Sequence, residues 1–136
     1  MSHVITIKVR GYHLDLYRHV NNARYLEFLE EARWSFLEQQ GDLQSLEQRG
    51  YGFAVVNINI SYRRPAYMGE ILEIRSSLKS IGKRSAVMQQ SVTLQATQTV
   101  VAEADVTFVI VEMRTEQAAI LEGELRSMLE PMIAVT

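Results

Sequence analysis

The sequence predicts an α+β fold, with one long helix wrapped by an antiparallel sheet of about five strands. Three observations carry that prediction. Apolar residues recur at helical spacing from about Asn22 to Gln40. After Gly50 they recur at strand spacing. The strand-like runs are joined by short turns, and short turns force antiparallel pairing. One face of such a sheet needs cover, and the long helix is the element that can supply it. The 136 residues, 47% of them apolar, suit one domain over 1–136.

Residues 3–10 alternate, with Val4, Thr6 and Lys8 against Ile5, Ile7 and Val9, and read as a first strand. In the helical stretch Tyr25, Phe28, Leu29, Ala32 and Phe36 form one apolar stripe, opposed by Glu27, Glu30, Glu31 and Glu38. Gly41 stands where a helix stop is expected. Leu43 to Arg49 suits a short helix ended by Gly50. The next strand places Ala54, Val56, Ile58, Ile60 and Tyr62 on one face. Its other face carries Phe53, Val55, Asn57, Asn59, Ser61 and Arg63, and Pro65 breaks the run. Residues 71–80 put Leu72, Ile74 and Leu78 on one side; residues 85–96 do the same with Ala86, Met88, Val92 and Leu94. Residues 100–112 align Val100, Ala102, Ala104, Val106, Phe108 and Ile110. Turns are expected at Met68 to Glu70, Ile81 to Lys83 and Thr97 to Thr99, and residues 122–132 read as a short terminal helix.

Composition narrows the function classes. No stretch approaches the ~18 consecutive apolar residues of a membrane span. The alternating N-terminus lacks the continuous apolar run of a signal peptide, so a cytoplasmic protein is expected. There are no cysteines, which excludes disulfides, thiolate metal sites and a cysteine nucleophile from this sequence. The net charge of −2 offers no field for nucleic acid. His3, His13 and His19 are scattered, a poor basis for a metal site.

The stretch DLYRHVNNARYLEFLEEARW, Asp15 to Trp34, crowds hydrogen-bonding groups at the mouth of the long helix. A helix start offers free backbone N–H groups and the positive end of the dipole, which suit a polarised carbonyl. A carboxylate beside it can serve as general base on water or attack an acyl carbon. Asp15 is that carboxylate, His19 is placed to bond it or the carbonyl, and Asn21 and Asn22 are placed to cap the helix or orient water. Asp, Asn and His are also ordinary turn and cap residues, so spacing alone leaves a structural role open.

The same stretch resembles the hotdog thioesterases that cleave acyl-CoA, the group that includes 4-hydroxybenzoyl-CoA thioesterase. The shared pattern is an aspartate, an HV step and a tyrosine ten residues after the aspartate, here Asp15, His19-Val20 and Tyr25. The form D-x-x-x-H-V-N-N-x-x-Y-L also resembles plant acyl-ACP thioesterases. The resemblance runs through INISYRRPA and VVAEADVTFVIVE, and is strongest to small bacterial long-chain acyl-CoA thioesterases of fatty-acid degradation. It implies a hotdog fold and hydrolysis of medium-to-long-chain fatty acyl-CoA. Asp15 would be nucleophile or general base, and a backbone N–H near Val20 would polarise the thioester. No metal or other cofactor is implied. Sites are expected at the interface of a homodimer or homotetramer. Two positions depart from the pattern: Arg18 stands where many relatives carry glycine, and Tyr17 where plant enzymes carry asparagine.

Other residues have two readings each. Arg63 and Arg64 suit CoA phosphates, or simply end a strand. Gly82, Lys83 and Ser85 in SIGKRS resemble the loop that meets the nucleotide end of CoA, or form a solvated hairpin tip. Asn22 and Tyr25 are placed to touch substrate, while Asn57 and Asn59 line either a polar interface or a solvated face. Trp34 reads as a packing residue. The competing functions are an acyl-ACP thioesterase and a non-catalytic acyl-CoA-binding protein of the same fold.

Overall fold

The computed structural model describes residues 3–40 and 43–133. Gly41, the expected helix stop, lies outside them. Strand β1 (His3–Lys8) leads through a single 3-10 turn (Gly11–His13) to helix α1 (Asn22–Gln40). Helix α2 (Leu43–Gln48) follows, then β2 (Tyr51–Tyr62), β3 (Ile71–Ile81), β4 (Ala86–Leu94) and β5 (Val100–Glu112). A two-residue strand β6 (Gln117–Ala118), helix α3 (Gly123–Leu129) and a 3-10 turn (Glu130–Met132) complete the chain.

All pairings are antiparallel, in the order β1-β3-β4-β5-β2, with β6 on the end of β5. The short turns expected from the sequence make these neighbours. Gly69 adopts φ +85°, which only glycine reaches without steric cost, and it hands the chain from the site loop into β3. The predicted stripe of α1 is the buried one: Tyr25, Phe28, Leu29, Ala32 and Phe36 are each at most 5% exposed. They join Leu72, Ile74, Leu78, Val92, Val106 and Ile110 from the sheet in one core. Polar clips fix the helix on the sheet. His3 Nε2 meets Ser35 Oγ at 2.8 Å, and Gln90 Nε2 donates to the Leu29 carbonyl at 3.0 Å.

Three of the strand pairings carry a register shift, the one between β3 and β4 falling between Leu78 and Ser80. A β-bulge at Val56 shifts the register between Val55 and Asn57. Because one extra residue flips every side chain before it, Phe53 and Val55 oppose Ile110 and Phe108 and share the helix-facing side with Ile58 and Ile60. The expected face of Ala54, Val56 and Ile58 is therefore corrected: Val56 is 59% exposed and Ala54 faces away. Another bulge between Val92 and Thr93 leaves Val101 unpaired in β5. Val101 is buried and Val100 exposed, the reverse of the alternation expected at that end.

Candidate active site

The segment between β1 and α1 folds back on itself. Leu14 and Val20 bridge antiparallel and close the loop that carries Asp15. Asp15 Oδ1 accepts the backbone N–H groups of Tyr17 at 2.8 Å and His19 at 3.2 Å. The Asp15 N–H donates to the His19 carbonyl at 2.8 Å, and the Arg18 N–H to the Asp15 carbonyl at 3.1 Å. The carboxylate is thus held through one oxygen, and Oδ2 makes no bond to the described residues. Arg18 closes the turn at φ +64°, the left-handed region that suits glycine.

The connection after β2 buttresses this loop. The Val20 N–H donates to the Ala66 carbonyl at 3.0 Å. The expected carbonyl-polarising donor is a backbone N–H near Val20, and this bond occupies the one of Val20 itself. The Asn21 N–H is occupied too, by the His13 carbonyl at 2.9 Å. Asn21 is the helix cap: its Oδ1 accepts the Ala23 N–H at 2.9 Å and its carbonyl the Arg24 N–H at 2.8 Å. Among the described residues, the N–H of Asn22, first residue of α1, has no partner. His19 meets Asp15 through its backbone rather than its ring, which packs edge-on to Tyr67 at 5.2 Å.

Tyr25 lies one turn into the helix, 3% exposed, between Phe28 and Tyr62. Among the described residues its hydroxyl closes no well-formed hydrogen bond, and burial pushes its pKa up against the opposing influence of the nearby Ala66 backbone. The Tyr62 hydroxyl donates to the Asn22 carbonyl at 3.2 Å, so β2 begins its run along α1 at the helix mouth. Further along the helix, from Glu30 onward, residues of α1 and β2 flank a groove, a cavity of about 630 Å³ lined by Trp34, Leu37, Phe53, Val55, Met88 and Phe108 among others. Two other depressions, of about 670 and 600 Å³, adjoin α3 and Arg49, away from Asp15.

The arginines near the mouth have partners. Arg64 pairs with Glu70 at 3.2 Å and stacks over Tyr67 at 5.5 Å; Arg63 pairs with Glu103 at 2.7 Å. Gly82, Lys83 and Ser85 sit at the far end of the sheet. β3 starts beside the Asp15 loop, where Ile71 pairs with Lys8, and runs ~35 Å to this hairpin. The chain therefore brings Asp15, His19, Val20, Asn22, Tyr25 and Arg64 together, leaves Arg63 on the outer edge and does not bring Gly82, Lys83 or Ser85. Asn57 and Asn59 pair with Thr107 and Asp105 on the face away from α1. Sequence reasoning missed Ala66, Tyr67 and Glu70, which the Pro65 turn returns to the loop, and the groove residues hidden by the bulge.

A family model described as the thioesterase-like superfamily matches residues 9–129. The chain belongs to the thioesterase-like superfamily. This thioesterase-like chain is 53% identical over 127 residues to the long-chain acyl-CoA thioesterase FadM of Escherichia coli, covering 93% of this chain and 96% of that one. Its fold superposes on the crystal structure of YbaW, a probable thioesterase from Escherichia coli, with TM-score 0.91 and 51% identity over 96% of this chain and 98% of that one. The Staphylococcus aureus protein SAV2348, solved in complex with CoA, shares the fold at TM-score 0.86, with 12% identity over 100% of this chain and 88% of that one. The expected hotdog architecture of the superfamily is the one observed.

Proposed function

We propose that the chain hydrolyses long-chain fatty acyl-CoA to free fatty acid and CoA. The observation that carries this reading is the juxtaposition at the helix mouth. Among the described residues, a carboxylate with one unbonded oxygen stands at the start of a helix whose first N–H has no partner, and an apolar cavity lies further along the same helix, from Glu30 onward. The Asn22 N–H polarises the thioester carbonyl, a task a fixed backbone donor performs without reorganisation. Asp15 Oδ2 attacks the acyl carbon or takes a proton from the attacking water. His19 lines the mouth against Tyr67, and the acyl tail follows β2 into the groove. Similarity to FadM supports the substrate class.

The working form is a cytoplasmic homodimer or homotetramer. Among the described residues, β2 is an edge strand with an unpaired backbone side, and its Val56 is exposed, a surface that another copy can cover. A second copy would also bring a Gly82–Ser85 hairpin and Lys83 within reach of CoA phosphates at a site this chain's own hairpin does not reach. Thiol release measured over acyl-CoA chain lengths tests the reading. Long chains should be turned over with the highest kcat/KM; no release from any acyl-CoA would refute it.

A further inference from the structure

The groove holds one feature that an unsubstituted acyl chain does not use. Arg33 lines its wall among apolar side chains, half-buried, with Trp34, Phe53, Val55 and Ile58 around it. Its Nη1 donates to Gln90 Oε1 at 3.0 Å, the guanidinium's one hydrogen bond among the described residues. No described carboxylate lies within ion-pairing distance of it. Glu30, one turn back on α1, lines the same cavity without closing a pair. Gln90 is 0% exposed, and its amide N–H groups are already spent on the Leu29 carbonyl at 3.0 Å and Ser76 Oγ at 2.9 Å. Its oxygen is therefore fixed toward Arg33, and the guanidinium is held in place by a neutral group.

A desolvated cation with spare donors favours an anion, and the fork of a guanidinium matches a carboxylate. Burial depresses the Arg33 pKa and the nearby Glu30 carboxylate opposes that shift only in part, which marks the cost of holding the charge without a closed ion pair. Arg33 lies eleven residues beyond Asn22 on one straight helix, ~17 Å along its axis, about the reach of a dozen-carbon chain. We propose that Arg33 is a specificity-determining residue that receives a carboxylate at the far end of the acyl chain, so that the enzyme also accepts ω-carboxyacyl-CoA. This rests on the thioesterase reading above, with the tail in the α1–β2 groove.

The test compares the CoA monothioester of tetradecanedioic acid with tetradecanoyl-CoA on the wild-type enzyme, Arg33→Lys and Arg33→Met. Thiol release is the readout, and melting and sedimentation are followed in parallel. The wild type should hydrolyse the ω-carboxy substrate with kcat/KM within about tenfold of the plain one. Arg33→Met should lower the ratio of the two by about tenfold or more, the scale of one charged hydrogen bond lost, with Arg33→Lys between. If Arg33→Met does not fold, the wild-type comparison still decides. Wild-type enzyme that cleaves tetradecanoyl-CoA but not the ω-carboxy substrate overturns the proposal and leaves the thioesterase reading intact; failure on both overturns that reading. An unchanged ratio in Arg33→Met also overturns it. If that variant additionally sediments as a monomer, the guanidinium serves contact with a second copy.

Discussion

The Tyr62 hydroxyl and the Asn22 carbonyl meet at 3.2 Å, joining the last residue of β2 to the first of α1. Further from that clip, Phe53 of β2 lines the same cavity as Trp34 and Leu37 of α1. The Asn22 N–H, which has no partner among the described residues, is thereby held at the end of β2.

Acyl-length preference is set in this groove rather than beneath the buried helix stripe. Val55 is 43% exposed and lines the cavity, so Val55→Phe should shift the chain-length optimum to shorter acyl groups with little change in melting. Ala32 is 0% exposed in the core, so Ala32→Leu should lower stability by about 1–3 kcal/mol through overpacking and leave the optimum alone. Acyl-length profiles and melting curves of both variants check this. A shift from Ala32→Leu with none from Val55→Phe would move the channel.

Tyr25 should tolerate loss of its hydroxyl. A buried OH with no well-formed bond among the described residues, only the nearby Ala66 backbone, gains the fold little and costs desolvation, so Tyr25→Phe is expected to unfold at the same denaturant concentration or a higher one. A loss of about 1 kcal/mol or more would mean that the hydroxyl is bonded in solution.

Arg18 is the strained residue of the site loop. Arg18→Gly should raise stability by about 1 kcal/mol, because glycine adopts φ +64° without the steric cost that a side chain incurs there. Glycine at Arg24, inside α1, should instead cost about 1 kcal/mol. Equal destabilisation by both in equilibrium unfolding would contradict the turn geometry.

His13 ties the site loop together, and it should make stability depend on pH. Its Nδ1 accepts the Arg10 N–H at 2.8 Å, its ring packs on Phe28 and Tyr12, and its carbonyl holds the Asn21 N–H. Burial lowers its pKa below 6.5, helped by Arg24 and Arg10 and opposed by Glu27. The unfolded chain then binds the proton more readily than the folded one. The stabilising contribution is full above pH 6.5 and is lost as pH falls toward the depressed folded value. Unfolding free energy measured from pH 8 to pH 5 should fall in wild type and fall less in His13→Gln. Parallel curves would contradict the assignment.

The sequence made the helix and strands β1 to β5 legible because each carries its period over most of its length. α1 was bounded correctly, and its stripe is the buried one. The bulge at Val56 defeated the reading of β2, since the inserted residue is as apolar as its neighbours and leaves no mark in the alternation. For the site, helix chemistry singles out Asp15 and the capping Asn21 as candidates, and the family resemblance is what gives Asp15 a catalytic role. The choice of free donor does not follow from helix chemistry: whether Val20 or Asn22 keeps its N–H depends on Ala66, which reaches the loop only after the Pro65 turn. The Gly82 hairpin is a candidate by its resemblance to the loop that meets the nucleotide end of CoA, and the length of β3 removes it from this chain's own site.

The central claim is that Asp15 does the chemistry at the mouth of α1. The most direct measurement is the kcat of Asp15→Asn against wild type on a long-chain acyl-CoA, read as free thiol, with melting temperature as the control for folding. The amide can accept the Tyr17 and His19 N–H groups through its oxygen, so the loop should persist and melting should change little. The account predicts a fall in kcat of about 10²–10⁴. A folded variant that keeps more than half of the wild-type kcat would contradict it.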